Sequence, residues 1–150
     1  MLRCLMAIGL VGAGSLAGCR KAGPRKPQEA APNEDSVTKS LAGLNSRLRE
    51  LEVKFAALRK QIEAVPPNLP GFHEVRAKFY AIEEGRGITD ARATLLSSRL
   101  DSVVSSRKSD ELRQIAREIA ETHGEVHQID QLYVEVLHRV LALERLARQR

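Results

Sequence analysis

Two histidines four residues apart, His123 and His127, have a type and spacing suited to metal binding. Residues four apart share one side of a helix, so both imidazoles can be directed at one ion. In the segment HGEVH, however, the glutamate lies one place later than in the HExxH pattern of zinc proteases. Only Glu121 and Asp130 lie nearby as a third ligand. We therefore predict no metal site, and we keep a metal-binding protein using His123 and His127 as an alternative.

The remaining polar motifs do not predict catalysis. Gly85-Arg86-Gly87 lacks the flanking pattern of a phosphate-binding loop, so we predict a turn between two helices there. Glu83 and Glu84 are neighbours in sequence and point to different sides of a helix. None of the serines in residues 97–106 lies in a nucleophile-elbow sequence. We predict a protein that is not an enzyme, with no catalytic residues, no cofactor and no small-molecule substrate.

Cys19 has a different chemical context, because it closes an apolar N-terminal segment. Arg3 gives this segment a positive start, and Leu5–Ala13 give it an apolar run. That run is far shorter than the roughly 20 residues that span a bilayer. The segment ends in Leu16-Ala17-Gly18-Cys19, which resembles the lipobox of bacterial lipoproteins. The resemblance covers residues 1–19 alone.

The lipobox resemblance implies a lipid anchor. Residues 1–18 would be a signal peptide cut between Gly18 and Cys19, after which the thiol and the new amine of Cys19 carry acyl chains such as palmitate. Two or more such chains hold a protein stably on a membrane, at about 0.8 kcal/mol per buried methylene. An ordinary signal peptide that is cut elsewhere and leaves Cys19 as a thiol is the alternative. Arg20 follows the cysteine where an Asp would favour the inner membrane, so the resemblance implies the outer membrane, facing the periplasm, in a Gram-negative host.

The composition after residue 18 limits the partners and the bonds. The chain has 24 basic and 19 acidic residues, and the predicted signal peptide removes one of the basic ones, leaving a net charge of +4. Basic and acidic residues are interspersed, so no nucleic-acid partner is predicted. Cys4 leaves with the signal peptide and Cys19 is consumed by lipid, so no intramolecular disulfide is expected. Aromatic residues are 3% and tryptophan is absent, which argues against a sugar-stacking site.

Residues 19–36 are predicted to be a lipidated linker. Pro24, Pro27 and Pro32 interrupt this segment, which has almost no large apolar side chain. At about 3.1 Å per residue it reaches at most roughly 50 Å. Its four basic residues in 20–26 would lie at the lipid headgroups, where each adds up to about 1 kcal/mol of attraction, or would simply keep the linker solvated.

Residues 37–65 show a coiled-coil repeat. Apolar residues alternate at spacings of four and three over four heptads, at Val37, Leu41, Leu44, Leu48, Leu51, Phe55, Leu58, Ile62 and Val65. Ser36 is the predicted cap, and Pro66-Pro67 end the helix. Such a seam has to be covered. Self-association, another protein and the rest of this chain are the three open possibilities.

Residues 72–148 are predicted to form a helical bundle region. A short helix carries Phe72, Val75, Phe79 and Ile82, and Thr89-Asp90 begin a second helix that runs to about Ser105. Ser109 caps the last helix. Its apolar row again alternates four and three, with Thr122 filling one core position, at Leu112, Ile115, Ile119, Val126, Ile129, Tyr133, Val136, Val140, Leu143 and Ala147. Leu132, Leu137, Leu141 and Leu146 widen that row, so its second half is expected to be covered on more than one side.

Together these patterns predict an all-α protein, an extended helical hairpin or small bundle on a lipidated tether. They favour a non-catalytic, membrane-anchored protein of the bacterial cell envelope that acts through helix–helix contacts as scaffold, spacer or adaptor. One alternative is a pilotin-like carrier that binds a secretion-channel subunit through Phe72, Phe79 and Tyr133. The other is the metal-binding protein based on His123 and His127.

Overall fold

Three long helices make up the part of the chain that the structure describes. The computed structural model describes residues 32–106 and 108–149, with α1 at Glu34–Ala64, α2 at Phe72–Ser106 and α3 at Ser109–Arg148. Each helix contacts both others. The turn at residues 65–71 reverses the chain between α1 and α2. Arg99 pairs with Glu118 and Glu74 pairs with Arg139, so α2 is also antiparallel to α3. Within these residues there is no strand, and the all-α prediction is confirmed.

A row of apolar residues from each helix forms one shared core. All nine predicted seam residues of α1 are buried, none more than 6% exposed. α2 and α3 of the same chain cover that seam, so the long helices do pack on each other. A partner or second copy bound through residues 37–65 stays a prediction, and it would require these nine side chains to leave the core.

The first helix begins earlier than predicted. Asn33, rather than Ser36, is the N-cap, because its Oδ1 accepts a hydrogen bond from the Ser36 backbone N–H at 2.7 Å. The Ser36 hydroxyl donates to the Asn33 carbonyl at 2.9 Å. Glu34 and Asp35 form the first turn, where their charge stabilises the positive end of the helix dipole. The predicted linker therefore loses its last three residues to α1, and its residues 19–31 lie outside the described part.

The turn between α1 and α2 is ordered by its own backbone. Val65 closes α1 by donating its N–H to the Ile62 carbonyl, and Pro66-Pro67 follow, as predicted. Leu69 is buried within the turn and extends the core past the helix end. Gly71 has a φ of 83°, a left-handed conformation that side chains disfavour, and its carbonyl accepts from the Val75 N–H to start α2.

The predicted break at Gly85-Arg86-Gly87 is wrong, because α2 runs through it without interruption. Thr89 is correspondingly not a helix cap. Its side chain is buried, and its hydroxyl donates to the Gly85 carbonyl one turn earlier. Arg86 and Thr89 occupy two steps of a heptad that continues across the segment, at 72, 75, 79, 82, 86, 89, 93, 96, 100 and 103.

Packing outweighs the local preference for a break. Two glycines in a helix interior cost together about 2 kcal/mol relative to alanine. Each fully buried Val, Leu or Phe contributes about 1.5–3 kcal/mol, and α2 buries three such residues on either side of the glycines. A turn at residue 86 would remove one of these sets from contact with α1 and α3. The continuous helix therefore has the lower free energy.

The last helix differs from its prediction in two respects: its N-cap and the burial of leucines in its second half. Lys108 is the N-cap and makes no side-chain capping bond, so Ser109 is the first helical residue rather than the cap. In the second half, Leu137 and Leu141 are partly buried, but Leu132 and Leu146 are each 46% exposed. The expectation that this half is covered on more than one side is therefore wrong for those two leucines, since neither α1 nor α2 covers them in the described part of the chain.

Gly87→Ala tests the continuous helix. A Cβ at Gly87 meets no atom within 4 Å, so we expect the free energy of unfolding to rise by about 0.5–1 kcal/mol. Gly71→Ala is the control, because its positive φ should lower the same quantity by about 1–2 kcal/mol. Urea unfolding followed by circular dichroism measures both. A loss of stability in Gly87→Ala would contradict a helix at that residue.

Candidate functional site

The predicted lipidation and cleavage residues lie outside the described residues. Gly18 and Cys19 belong to residues 1–31, of which the structure describes nothing. The anchor therefore stays a prediction from the sequence. The described bundle contains the remaining candidates: the histidine pair, the predicted aromatic contacts, the Arg86 segment and the outer faces of the helices.

The histidine pair makes two separate polar contacts. His123 Nε2 lies 3.2 Å from the Ser40 carbonyl oxygen of α1, and because a carbonyl only accepts, Nε2 is the donor. His127 Nε2 lies 3.0 Å from the amide nitrogen of Gln131 on the same helix. Within residues 32–106 and 108–149 no three His, Cys, Asp or Glu residues form a group able to hold a metal ion. Both histidines are thus accounted for by contacts within the bundle.

The predicted aromatic contacts of a carrier lie mainly in the core. Phe72 and Phe79 are at most 5% exposed. The ring of Phe55 packs against both Phe79 and Tyr133, with centroids 5.7 and 5.4 Å apart. Burial raises the pKa of the Tyr133 hydroxyl, against the opposing effect of the Lys54 ammonium. These rings join the three helices to one another and leave little surface for a foreign segment.

A small cavity does open beside the α1–α2 turn. Its volume is about 260 Å³, and apolar side chains of both helices form its walls, including Ile62, Phe72 and Phe79. The Arg76 guanidinium lies 5.7 Å from the Phe72 ring centroid, and Tyr80 at the edge is half-exposed. Arg59 and Glu63 also line the cavity. This arrangement can accept one apolar side chain, with two guanidinium groups and one carboxylate around it.

Arg86 introduces charge into the core row of α2. Its Nε is buried and has no hydrogen-bond partner among the described residues. The flanking backbone is helical, so its N–H groups bond to carbonyls one turn back and are not available to cradle a phosphate. Thr122 on α3 is a second polar core residue, and its hydroxyl donates to the Glu118 carbonyl. The middle of the bundle is therefore the more polar part of its core.

On the outer surface shared by α2 and α3, ion pairs between the two helices recur at heptad spacing. Arg99 bonds to Glu118, and one heptad along both helices Arg92 bonds to Glu125. Continued by one more heptad, the register of these two pairs aligns Gly85 on α2 with Leu132 on α3. The next places Lys78 beside Arg139, and both of these contact Glu135, at 3.3 and 3.2 Å. We call this surface the α2–α3 face, comprising the exposed parts of Gly85, Ile88, Arg92, Leu95, Arg99, Glu118, Glu121, Glu125 and Leu132.

Three large apolar side chains are uncovered on the α2–α3 face. Ile88 is 61% exposed, Leu95 is 65% exposed and Leu132 is 46% exposed. Leu95 lies next to Arg92, Arg99, Glu118 and Glu121 around a shallow depression. This surface was not predicted from the sequence, although arginines seven apart on α2 and glutamates seven apart on α3 are visible there. What was missing was the register that brings the two series together.

Glu118 is the acidic group most affected by this surface. The hydrogen bond from Arg99 lowers the pKa of its carboxyl, against partial burial, and the Gln114 amide adds to the lowering. The ionised form is therefore favoured in the folded protein. This contribution to stability is complete above the usual glutamate pKa and is lost as the pH falls through the lowered value.

Glu118→Gln should consequently flatten the acid side of the stability profile. We expect the loss of free energy of unfolding between pH 6 and pH 3 to be smaller in the variant, because one depressed carboxyl no longer takes up a proton. Glu144, in no ion pair with a described residue, supplies the control Glu144→Gln. Urea unfolding at each pH measures the effect. Equal acid loss in wild type and Glu118→Gln would contradict the role of the Arg99 bond.

Comparisons with known proteins add no relative. The chain matches no protein-family model, no curated protein and no solved structure. Among the described helices, none is both long enough and apolar enough to cross a membrane.

Proposed function

We propose that the protein is a non-catalytic lipoprotein of the bacterial cell envelope that acts through helix–helix contacts, as scaffold, spacer or adaptor. The observation that carries the anchor is the sequence Leu16-Ala17-Gly18-Cys19 after a short apolar run. Lipid on Cys19 would hold the protein on the membrane. With Arg20 after the cysteine, the outer membrane of a Gram-negative host, on its periplasmic side, is the proposed location.

The shape of the bundle supports a spacer or scaffold. At 1.5 Å per residue, the 40 residues of α3 span about 60 Å. The linker joins the bundle at Asn33, the end where α2 turns into α3, and the α1–α2 turn with the end of α3 lies at the opposite end. Contacts made at that far end or along the helix faces would therefore be held away from the point where the linker joins.

A pilotin-like carrier is the second candidate, and the cavity at the α1–α2 turn favours it. This cavity lies at the end of the bundle opposite the linker and combines apolar walls with the Arg76 charge. A segment with one large apolar side chain next to a carboxylate fits that chemistry. The binding surface would then be formed by Arg76 and Tyr80, since Tyr133 lies elsewhere in the core.

Cys19→Ala tests the anchor. We expect it to abolish incorporation of radioactive palmitate and to leave an uncut precursor, because acylation of the thiol precedes cleavage in lipoproteins. Cys4→Ala is the matched control and should keep both labelling and cleavage. Labelling and membrane fractionation in a bacterial host measure the outcome. Normal palmitate labelling in Cys19→Ala would overturn the proposed anchor.

A photo-crosslinking amino acid at Tyr80 tests the carrier. If the cavity binds a secretion-channel subunit, irradiation of intact cells should join that subunit to Tyr80, and mass spectrometry identifies it. Val53 is the control site, because it is 72% exposed on α1 and lines no part of the cavity. The same adduct from both sites, or none from Tyr80, would remove the carrier from consideration.

A further inference from the structure

The Gly85–Leu132 position interrupts an otherwise charged series on the α2–α3 face. On one side of it stand Arg92–Glu125 and Arg99–Glu118, each one heptad apart. Leu132 remains 46% exposed, and a Cβ at Gly85 would meet nothing within 4 Å. The exposed Leu132 side chain therefore lies at the same height along the bundle as the open space above Gly85. Neither the glycine nor the leucine is required there by the packing of the monomer.

Charge divides the same face lengthwise. Over the half nearer the linker, the α2 side carries Arg92 and Arg99, and the α3 side carries Glu118, Glu121 and Glu125. Glu121 takes part in no ion pair with a described residue. A basic strip thus runs beside an acidic strip, about one helix diameter apart.

We infer that the α2–α3 face binds a second copy of this chain, with the two bundles parallel and related by a two-fold axis along the helices. This symmetry lays α2 of each copy on α3 of the other, so each basic strip meets an acidic strip. The pairs Arg92–Glu125 and Arg99–Glu118 each become a ring of four alternating charges. Leu132 of each copy covers the empty position at Gly85 of the other.

The parallel direction follows from the charges. An antiparallel pair would lay α2 on α2 and α3 on α3, so arginines would face arginines and glutamates would face glutamates, which is unfavourable. The parallel pair also brings both linkers to one end, which suits two chains held on one membrane; this last reason rests on the proposed function. The exposed Ile88 and Leu95 then pack beside the side-chain stems of Gln128 and Glu121 in the other copy.

The test uses the full chain in intact cells, with a photo-crosslinking amino acid at Leu95 and a tagged and an untagged copy expressed together. We expect an adduct of twice the chain mass that contains both copies. Mass spectrometry should place the second end of the crosslink in residues 114–128 of α3, the helix that the parallel pair lays over Leu95. A crosslink to α2 of the other copy would overturn the parallel pair. A crosslink to a different protein, or no adduct, would overturn self-association.

Two matched pairs of variants test the contact at Gly85 and Leu132. Gly85→Phe and Leu132→Glu should each lower the yield of that adduct by about tenfold or more, equivalent to about 1.4 kcal/mol of binding. Gly87→Phe and Val134→Glu should leave it unchanged. Gly87 is equally open, and Val134 is 43% exposed, but both lie outside the α2–α3 face. Equal loss in the controls, or no loss in the first pair, would overturn the contact.

Palmitate labelling of the same cells separates this inference from the proposed function. Adducts to α3 without labelling would support the parallel pair and refute the lipid anchor. Labelling without adducts would refute the pair and leave the anchor supported. Thermal unfolding by circular dichroism checks that all four variants keep the helical fold, as expected for substitutions at exposed or open positions.

Discussion

The need to cover the apolar seam of α1 determines the rest of the structure. Eight buried residues of α1, followed by Val65 at its C-cap, form a strip along the whole helix. At about 1.5–3 kcal/mol for each fully buried large side chain, an exposed seam would be strongly unfavourable. α2 and α3 each carry a row with the same alternation of four and three, so three helices can pack around one axis. The continuity of α2 and the positions of the charged outer faces both follow from that packing.

The continuity of α2 illustrates how far this constraint extends. Three residues disfavour a buried helix interior here: Gly85 and Gly87 through backbone entropy, and Arg86 through the burial of its unpartnered Nε. The heptad spacing of inward residues nevertheless continues across these three residues. The reason is that the apolar residues on both sides contact α1 and α3 only when the helix is unbroken. The core is consequently more polar in the middle of the bundle, where Thr89 and Thr122 are buried and bonded to their own helices.

The inward packing of the apolar rows also determines where charge lies on the outer faces. Once the apolar rows face inward, the flanking positions are left for charge. On α2 and α3 these positions form ion pairs one heptad apart. Individually such exposed pairs contribute little to stability. Their arrangement is what distinguishes this surface, because it gives the α2–α3 face a basic strip and an acidic strip. At the one heptad level without a charged pair, Leu132 lies at the same height as the open position at Gly85. A surface of this kind would give the proposed scaffold a defined contact.

The sequence by itself determined the helical class, the buried row of α1 and nearly all the inward residues of α3, because a heptad repeat is a local pattern that any covering partner satisfies. It also contains Leu16-Ala17-Gly18-Cys19, which resembles a lipobox and lies outside the described bundle. It did not determine what covers the α1 seam, since self-association, another protein and the same chain all satisfy one repeat. Only tertiary packing decided that α2 passes through Gly85-Arg86-Gly87, because the gain lies in contacts with α1 and α3 that are distant in sequence. The α2–α3 face likewise depended on the register between two antiparallel helices, which sets Arg92 against Glu125 and Gly85 against Leu132.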